Sequence, residues 1–370
     1  MSRIVIMGAP AAMLANFRGD LVRHLVASGH QVLCLAPEDD AAAAAQLEAC
    51  GARYRALPFR RNGISPLGDL RFYRQLRDLL KHEKPDIFLA TTIKPVVYGL
   101  PAARAAGVPR VVALVTGLGY TFIGAGLKAK LIGFAARILY RNACRQADRV
   151  IFQNPDDRLV FVEAKLVKTE ITSLVAGSGV NLSRFPQSPL PEGPPLVLCV
   201  ARLLKEKGVR EFAEAAALLK PQFPQARFVI VGPEDSGPSG HLCSDIAAWS
   251  GGACDAVGAS NEVGLWLAKS SLFVLPSWRE GTSRAALEAL ASGRPIVTTD
   301  APGCRETVRD GVNGQLVPLR DPQALAAAIG RLLADPELRQ RQAEASRRFA
   351  EERFDVNKVN AEMLRLMQET

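Results

Sequence analysis

Residues 272–293 read LFVLPSWREGTSRAALEALASG, and the pattern of this segment indicates the class of fold. Four consecutive apolar residues, Leu272–Leu275, predict a buried strand, and Pro276 begins a turn. A helix is predicted to begin near Thr282 or Ser283, with apolar side chains around most of its surface. A fully apolar strand followed by a buried helix indicates a parallel sheet that is covered by helices on both faces.

The same alternation of short apolar strands and helical stretches runs along the rest of the chain. In the first half, strands are predicted at Ile4–Met7, Gln31–Ala36, Tyr54–Pro58, Ile87–Ala90, Arg110–Val115, Arg149–Phe152 and Ile171–Val175. In the second half, they are predicted at Leu196–Val200, Arg227–Val231, Asp255–Val257, Leu272–Leu275, Pro295–Thr299 and Gly314–Val317. A proline-rich break separates the halves at residues 185–195. We therefore expect an α/β protein of two doubly wound Rossmann-like domains that face a central cleft.

The predicted domains are residues 1–185 and residues 186–354, and a closing helix at residues 355–370 is expected to pack back on the first domain. The composition is that of an ordinary globular protein, with 48% hydrophobic and 22% charged residues. Seven scattered cysteines suit reduced thiols in the cytoplasm. The chain begins directly with a strand pattern, and no stretch has the length and hydropathy of a membrane span.

Positive charge is concentrated in the first half of the chain. Residues 1–185 carry a net charge of +11, whereas residues 186–370 carry −2. An asymmetry of this size concerns partners rather than fold, and it fits nucleic acid, an anionic lipid surface or a substrate with a diphosphate group. Aromatic residues make up only 6% of the chain, which argues against stacking on single-stranded nucleic acid.

Several common catalytic motifs are absent from the sequence. It contains no Gly-x-Gly-x-x-Gly, no phosphate-binding P-loop and no Gly-x-Ser-x-Gly elbow. The sequence therefore gives no motif support for a dinucleotide-binding dehydrogenase, a P-loop nucleotide hydrolase or a serine hydrolase. The four histidines have no metal-ligand spacing, and no Asp-x-Asp pair is present. We therefore expect no metal and no cofactor.

Charged residues cluster instead after two of the predicted strands. Glu280 lies just before a predicted helix, whose first N–H groups, at Gly281, Thr282 and Ser283, suit a phosphate, and Glu288 lies in that helix. The alternative reading makes Glu280 and Glu288 ordinary solvated helix residues. The strand Leu196–Val200 is followed by a loop that carries two cations, Arg202 and Lys207, at the same sheet edge as Glu280. Together they predict a clamp for a diphosphate that needs no metal.

These motifs resemble the nucleotide-sugar domain of retaining, metal-independent glycosyltransferases of family 4, which have the GT-B architecture. The matching segments are Arg202…Lys207-Gly208, Val231-Gly232 and Glu280-x7-Glu288. The resemblance implies that Arg202 and Lys207 hold the donor diphosphate, that Glu288 binds the ribose hydroxyls and that Glu280 contacts the donor sugar. The donor site it implies comprises Arg202, Lys207, Gly232, Glu280, Gly281, Thr282, Ser283 and Glu288, with Arg202, Lys207 and Glu280 as catalytic residues.

The first half resembles bacterial enzymes that extend glycans on undecaprenyl diphosphate, among them N-acetylgalactosaminyltransferases. The matching segments are Asn16-Phe17-Arg18, Thr91-Thr92-Ile93-Lys94-Pro95 and Thr116-Gly117-Leu118-Gly119-Tyr120. The resemblance implies an acceptor site that contains Asn16, Arg18, Lys94, Gly117 and Tyr120. A basic amphipathic helix with Lys128, Lys130, Arg137, Arg141 and Arg145 is expected to dock on the inner face of the cytoplasmic membrane.

The expected reaction moves a sugar, with N-acetylgalactosamine as the first choice, from a UDP-sugar to a saccharide linked to undecaprenyl diphosphate. Transfer is expected to retain the anomeric configuration, with the leaving diphosphate assisting deprotonation of the acceptor. One alternative is a non-hydrolysing UDP-sugar 2-epimerase, which shares the two-domain architecture. A second is a non-enzymatic two-lobed ligand-binding protein, although that class normally carries a secretory signal. A nucleic-acid binder would leave Glu280 and Glu288 unexplained.

Overall fold

The computed structural model describes residues 1–60, 65–118, 127–237 and 239–369, with the backbone alone at residues 127–132. The chain divides into two units, residues 1–178 with 356–370 and residues 179–355. The sequence places the divisions after residues 185 and 354 instead. Residues 179–195 belong to the second unit because Phe185 lies beside Gly264, and the Arg294 guanidinium binds the carbonyl oxygens of Ser188 and Pro189.

The first unit is built on a seven-stranded parallel sheet in the order β3-β2-β1-β4-β5-β6-β7. Its strands are β1 Arg3–Met7, β2 Gln31–Ala36, β3 Arg53–Ala56, β4 Ile87–Thr91, β5 Arg110–Val115, β6 Arg149–Phe152 and β7 Thr172–Leu174. Its helices are α1 Ala11–Ala27, α2 Ala41–Glu48, α3 Pro66–Glu83, α4 Leu100–Ala105, α5 Leu127–Cys144 and α6 Pro155–Glu163. A π-helical turn, Pro95–Gly99, precedes α4.

The second unit is built on a six-stranded parallel sheet in the order β10-β9-β8-β11-β12-β13. Its strands are β8 Leu196–Val200, β9 Arg227–Val231, β10 Cys254–Ala256, β11 Leu272–Leu275, β12 Ile296–Thr299 and β13 Gly314–Val317. Its helices are α7 Val209–Leu219, α8 Cys243–Ser250, α9 Val263–Lys269, α10 Arg284–Ala291, α11 Pro322–Ala334 and α12 Pro336–Phe349. The last helix, α13 Val356–Gln368, belongs to the first unit.

Both faces of the first sheet are covered, which explains why its central strands β1, β4 and β5 are largely apolar and buried. One core contains Val5, Phe72 and Phe88, and the opposite core contains Ile4, Leu25 and Met363 of α13. The alternation of Ile4 and Val5 between the two cores follows from the two-residue period of a strand. None of the helices in the described part of the chain is long and apolar enough to span a membrane.

Each sheet has one place where the strand order reverses. In the first unit the reversal lies between β1 and β4, and in the second it lies between β8 and β11. Ligands of doubly wound sheets bind outside the carboxyl ends of the strands at such a reversal, because the loops on either side diverge and leave a crevice. The loops that follow β1, β4, β8 and β11 are therefore the places to look for a site.

Candidate functional site

Two loops of the second unit meet at the reversal point between β8 and β11. These strands are parallel neighbours, with Leu272 paired to Val197 and Phe273 to Leu198. The loop after β8 contains a 3-10 turn, Lys205–Lys207, and the loop after β11 contains Glu280. Pairing of the strands therefore brings residues from widely separated positions in the chain to one crevice, as the sequence predicts.

The two predicted charges, Lys207 and Glu280, are in direct contact in this crevice. Lys207 Nζ donates to Glu280 Oε1 at 2.5 Å, and the side chains are 21% and 13% exposed. Ser277 Oγ donates to the same oxygen at 2.8 Å. Because the pair is largely shielded from water, its attraction is stronger than that of a surface ion pair. Ser277 was not predicted, although its position directly after a buried strand marks the same sheet edge.

Glu288 lies inside the helix that follows this crevice. Its side chain accepts a hydrogen bond from Arg284 Nε at 2.8 Å, and the residue is only 8% exposed. Burial raises the pKa of Glu288, while Arg284 and the charge of Arg184 oppose that rise. The pairing of Arg284 with Glu288 was not predicted, although their spacing of four residues in a helix is a sequence signal for such a pair.

The helix α10 begins at Arg284, one or two residues later than expected. Ser283 is its N-cap, and Ser283 Oγ accepts from the backbone N–H of Ala286 at 3.3 Å. The Thr282 hydroxyl donates to the carbonyl of Gly281 at 2.9 Å. The predicted anion-binding segment, residues 281–283, thus lies at the positive end of an eight-residue helix.

Two glycines allow the backbone segments of this site to pass very close to one another. A Cβ at Gly232 would lie 1.8 Å from the carbonyl oxygen of Ala201, next to the predicted cation Arg202. A Cβ at Gly303 would lie 2.2 Å from the carbonyl oxygen of Glu280. Distances this short exclude any side chain, so glycine is required at both positions.

Arg202 occupies a different position from the Lys207–Glu280 pair. Its side chain is 56% exposed, and its guanidinium lies 3.9 Å from Asp235 Oδ2. The structure thus brings Lys207 and Glu280 together and pairs Arg202 with Asp235, an acid to which the sequence assigned no role. A guanidinium has five N–H donors, so this exposed pair, separated by 3.9 Å, leaves donors of Arg202 for a further anion.

Trp278, to which the sequence assigned no role, contacts three segments of the chain near Lys207. Its backbone N–H donates to the carbonyl of Glu206 at 2.9 Å, and its indole N–H donates to Glu211 of α7, also at 2.9 Å. The guanidinium of Arg320 lies 4.0 Å from the ring centroid. These contacts hold the turn that carries Lys207 against the loop that carries Glu280.

The residues predicted to bind the acceptor lie in the first unit and are not assembled into one cluster of contacts. Lys94 Nζ donates to Asp69 Oδ1 at 2.6 Å, so it belongs to a largely buried ion pair. Arg18 is buried and donates to Ser178 Oγ at 3.1 Å. Asn16 is exposed on α1, and Gly117 follows β5. Tyr120 lies outside the described residues.

Tyr98 completes the cluster around Asp69. Its hydroxyl donates to Asp69 Oδ2 at 3.0 Å, and burial together with this carboxylate raises the pKa of Tyr98 to about 12. Lys94 and Tyr98 therefore satisfy both oxygens of a buried acid, as buried charges require. Within the described ranges, no group of three or more His, Cys, Asp or Glu residues is arranged to hold a metal ion.

Comparison with known proteins identifies the class to which this fold and site belong. Residues 182–349 match the family described as glycosyl transferases group 1, and residues 14–172 match the glycosyl transferase 4-like domain. HepE of Anabaena in complex with UDP-glucose has a TM-score of 0.80 at 20% identity, and both chains are covered completely. The sucrose-phosphate synthase of Thermosynechococcus elongatus has a TM-score of 0.81 at 19% identity, over 100% of this chain and 99% of that one. The fold is therefore that of GT-B glycosyltransferases.

Two curated relatives are similar to this chain over about three quarters of its length or more. The N,N'-diacetylbacillosaminyl-diphospho-undecaprenol alpha-1,3-N-acetylgalactosaminyltransferase of Campylobacter jejuni is 30% identical over 91% of this chain and 91% of its own length. The UDP-Gal:alpha-D-GlcNAc-diphosphoundecaprenol alpha-1,3-galactosyltransferase of Escherichia coli is 28% identical over 74% of this chain and 73% of its own. The chain belongs to the glycosyltransferase family 4 enzymes with group 1 domains, which decides against the epimerase and the ligand-binding protein.

Proposed function

We propose that this enzyme transfers a sugar from a UDP-sugar to a saccharide carried on undecaprenyl diphosphate. The acceptor class is supported by both curated relatives, each named for an acceptor linked to diphosphoundecaprenol. N-Acetylgalactosamine is the proposed donor sugar, since the relative that matches over 91% of the chain is named for it. UDP as the carrier nucleotide is supported by the relative named for UDP-Gal and by the bound UDP-glucose of HepE.

The donor is proposed to bind at the reversal point of the second sheet. Lys207 and Arg202 neutralise the diphosphate together with the N–H groups of residues 281–283, while Glu280 contacts the sugar and Glu288 the ribose hydroxyls. Gly232 lets the loop approach the ligand. An ammonium group has three protons, so Lys207 can bind Glu280 and a phosphate oxygen at the same time. Two cations and a helix N-terminus supply the charge that a metal provides elsewhere, so the reaction is proposed to proceed without one.

Transfer is proposed to retain the anomeric configuration. The bond between the anomeric carbon and the diphosphate oxygen breaks, the acceptor oxygen bonds to that carbon from the same face, and the acceptor proton passes to the leaving diphosphate. Both curated relatives are named for alpha-linked products, and retention on an alpha-linked UDP-sugar gives an alpha product. Lys207 and Arg202 stabilise the charge that develops on the leaving group.

The acceptor is proposed to bind the first unit, through the residues Asn16, Arg18, Lys94, Gly117 and Tyr120. Lys94 contributes by holding Asp69 rather than by a free ammonium group. The first half of the chain, with its net charge of +11, is proposed to dock on an anionic membrane surface, which would place the enzyme beside a lipid-linked acceptor on the inner face of the cytoplasmic membrane.

The main structural support for this proposal is the largely buried Lys207–Glu280 pair at the reversal point of the second sheet. The test is to incubate the enzyme with UDP-GalNAc, UDP-GlcNAc, UDP-galactose and UDP-glucose, each with undecaprenyl-diphosphate-linked monosaccharides and with EDTA present. We expect a glycolipid extended by one alpha-linked sugar, identified by mass spectrometry and NMR. A product with inverted configuration would contradict the mechanism, and release of a 2-epimeric sugar without any extended lipid would contradict the function.

A further inference from the structure

A cavity lies at the carboxyl edge of the first sheet, where the ends of β4 and β5 meet. Its volume is about 220 Å³, several times the ~30 Å³ that one water occupies in the liquid. Apolar side chains form most of its described wall, among them Val96, Leu114 and Val115. It lies at the carboxyl ends of β4 and β5, the edge of a doubly wound sheet at which ligands bind, and β4 is one of the two strands that flank the reversal point.

One polar group in this wall stands out. Thr92 lines the cavity, and its Oγ1 is buried with no hydrogen-bond partner among the residues that the structure describes. Its neighbour Thr91, by contrast, donates from Oγ1 to the carbonyl of Met7 at 3.3 Å. A buried hydroxyl without a partner lowers the stability of a protein, so Thr92 Oγ1 contributes nothing to the fold that valine would not.

The backbone of Thr92 is strained as well. Its φ is +69°, in the left-handed region that a β-branched residue adopts only at a cost in free energy. Strain of this kind is concentrated at ligand-binding positions, where the fold holds a residue in place against its own preference. Thr92 lies between the end of β4 and the π-helical turn at Pro95–Gly99. Its carbonyl accepts a hydrogen bond from the N–H of Val96 in that turn at 3.1 Å, which fixes its position.

The mostly apolar lining of the cavity favours some substituents of a sugar ring over others. A hydroxyl-rich ring would leave most of its polar atoms facing apolar walls, which is unfavourable. An N-acetyl group presents one methyl group to such walls and one amide to a single hydroxyl. We propose that this cavity binds the N-acetyl substituent of the acceptor saccharide and that Thr92 Oγ1 hydrogen-bonds its amide. The inference rests on the proposed function, since it names a feature of the same acceptor.

The experiment compares two acceptors, undecaprenyl-diphosphate-linked N-acetylglucosamine and undecaprenyl-diphosphate-linked glucose, which differ only in the 2-acetamido group. The variants are Thr92→Val, which keeps the shape and the backbone strain, and Thr92→Ser, which keeps the hydroxyl. We expect the wild type to have a kcat/KM at least ~10-fold higher for the acetamido acceptor, because an unmatched buried polar group is costly. Thr92→Val removes most of that preference, and Thr92→Ser keeps it.

Thermal unfolding separates a ligand role from a structural one. Because the Thr92 hydroxyl has no partner in the described structure, Thr92→Val is expected to raise the unfolding temperature by about 2 °C rather than lower it. A Thr92→Val variant with an unchanged preference for the acetamido acceptor, or with a lowered unfolding temperature, would overturn the inference and leave the proposed function intact. A wild type that extends neither acceptor would contradict the proposed function itself.

Discussion

Glu288 is a carboxylate that the fold makes harder to ionise. Burial raises its pKa above the usual 4.5, and Arg284 opposes that effect without cancelling it. Because only the ionised form can accept hydrogen bonds at both oxygens, we expect the KM for the UDP-sugar to rise as the pH falls through this raised pKa. Steady-state kinetics between pH 5 and pH 8 measure the effect, and in Glu288→Gln the KM is higher but independent of pH.

The same group predicts a pH dependence of stability. The folded protein binds the Glu288 proton more tightly than the unfolded chain does, so this residue's contribution to stability falls as the pH rises from 4.5 through the raised pKa. Comparing urea unfolding of wild type and Glu288→Gln isolates that contribution. A difference between the two proteins that does not change with pH would show that Glu288 is ionised normally in the folded state.

Trp278 is expected to act as a positioning residue for Lys207. Replacing it by alanine removes the indole N–H that binds Glu211 and the ring that lies under Arg320. The loop that carries Glu280 then loses its side-chain contacts with α7 and Arg320, which support the backbone hydrogen bond from residue 278 to Glu206 of the Lys207 turn. A shift of about 1 Å at a catalytic group costs up to ~100-fold in rate. We expect Trp278→Ala to lower kcat by 10-fold to 100-fold with a smaller change in the acceptor KM.

The matched control is Trp278→Phe, which keeps an aromatic ring for Arg320 and removes only the indole N–H. It should recover most of the lost kcat. Full activity in Trp278→Ala would contradict the positioning role, and equal loss in both variants would assign the effect to the hydrogen bond with Glu211 alone.

The loops of the second unit depend on close contacts between backbones. Gly232 directly follows β9, and the Cβ of an alanine there would lie 1.8 Å from the carbonyl oxygen of Ala201. The backbone must move to relieve this overlap, so we expect Gly232→Ala to lower the unfolding temperature of the protein and to weaken donor binding. Differential scanning calorimetry and a UDP titration measure the two effects.

Gly264 of α9 provides the control for that substitution. A Cβ at this position has its nearest neighbour, the Phe185 ring, at 3.8 Å, which is an ordinary contact. Alanine favours the helix by up to ~1 kcal/mol relative to glycine, so Gly264→Ala should be neutral or stabilising. A Gly232→Ala protein that matches it in both stability and UDP affinity would contradict the steric requirement.

At the level of elements, the sequence predicts the strands much better than the pairings of charged residues. Apolar runs locate β8, β9 and β11 because a strand buried on both faces has no polar positions. Helical stretches were expected between the strands, but the bounds of the short helices α2, α4, α6 and α8 were not predicted individually. Lys207 and Glu280 could be expected at one edge of the sheet because both follow the carboxyl ends of parallel strands, and those ends lie at the same edge.

Other features of the site depend on folding in three dimensions. The pairing of Lys94 with Asp69 joins α3 to the end of β4, and no sequence period connects these positions. The left-handed backbone conformation of Thr92 could not be predicted from the sequence either, because threonine gives no signal for a positive φ. For this reason the neighbourhood of Lys207 and Glu280 could be expected from the sequence, whereas the contacts of Lys94 and the backbone of Thr92 could not.

At the level of the whole molecule, the helix α5 of the basic first unit carries both exposed apolar and exposed basic side chains. On α5, Phe134 is 66% and Ile138 45% exposed, Arg137 is exposed, and Arg145, directly after the end of the helix, is exposed as well. Large exposed apolar side chains next to arginines suit the interface of an anionic bilayer. The side chains of Lys128 and Lys130 lie outside the described part of α5, and Arg141 donates to the carbonyl oxygen of Lys165 at 3.1 Å.

Vesicle sedimentation tests this surface. We expect the wild type to bind vesicles that contain 30 mol% phosphatidylglycerol at low salt, and the double variant Arg137→Glu/Arg145→Glu to bind at least ~10-fold more weakly, because each cation contributes about 1 kcal/mol at such a surface. Arg331→Glu, on α11 of the second unit, is the matched control and should bind like the wild type. Equal binding of all three proteins would contradict docking through α5.

The proposed mechanism depends on Lys207 holding the donor diphosphate without a metal. Isothermal titration calorimetry with UDP in the presence of EDTA measures this binding, and Lys269→Ala on α9 is the control for loss of one positive charge from the same unit. We expect EDTA to leave the wild-type dissociation constant unchanged, Lys269→Ala to match the wild type and Lys207→Ala to bind UDP at least ~30-fold more weakly. Loss of UDP binding in EDTA, or wild-type affinity in Lys207→Ala, would contradict it.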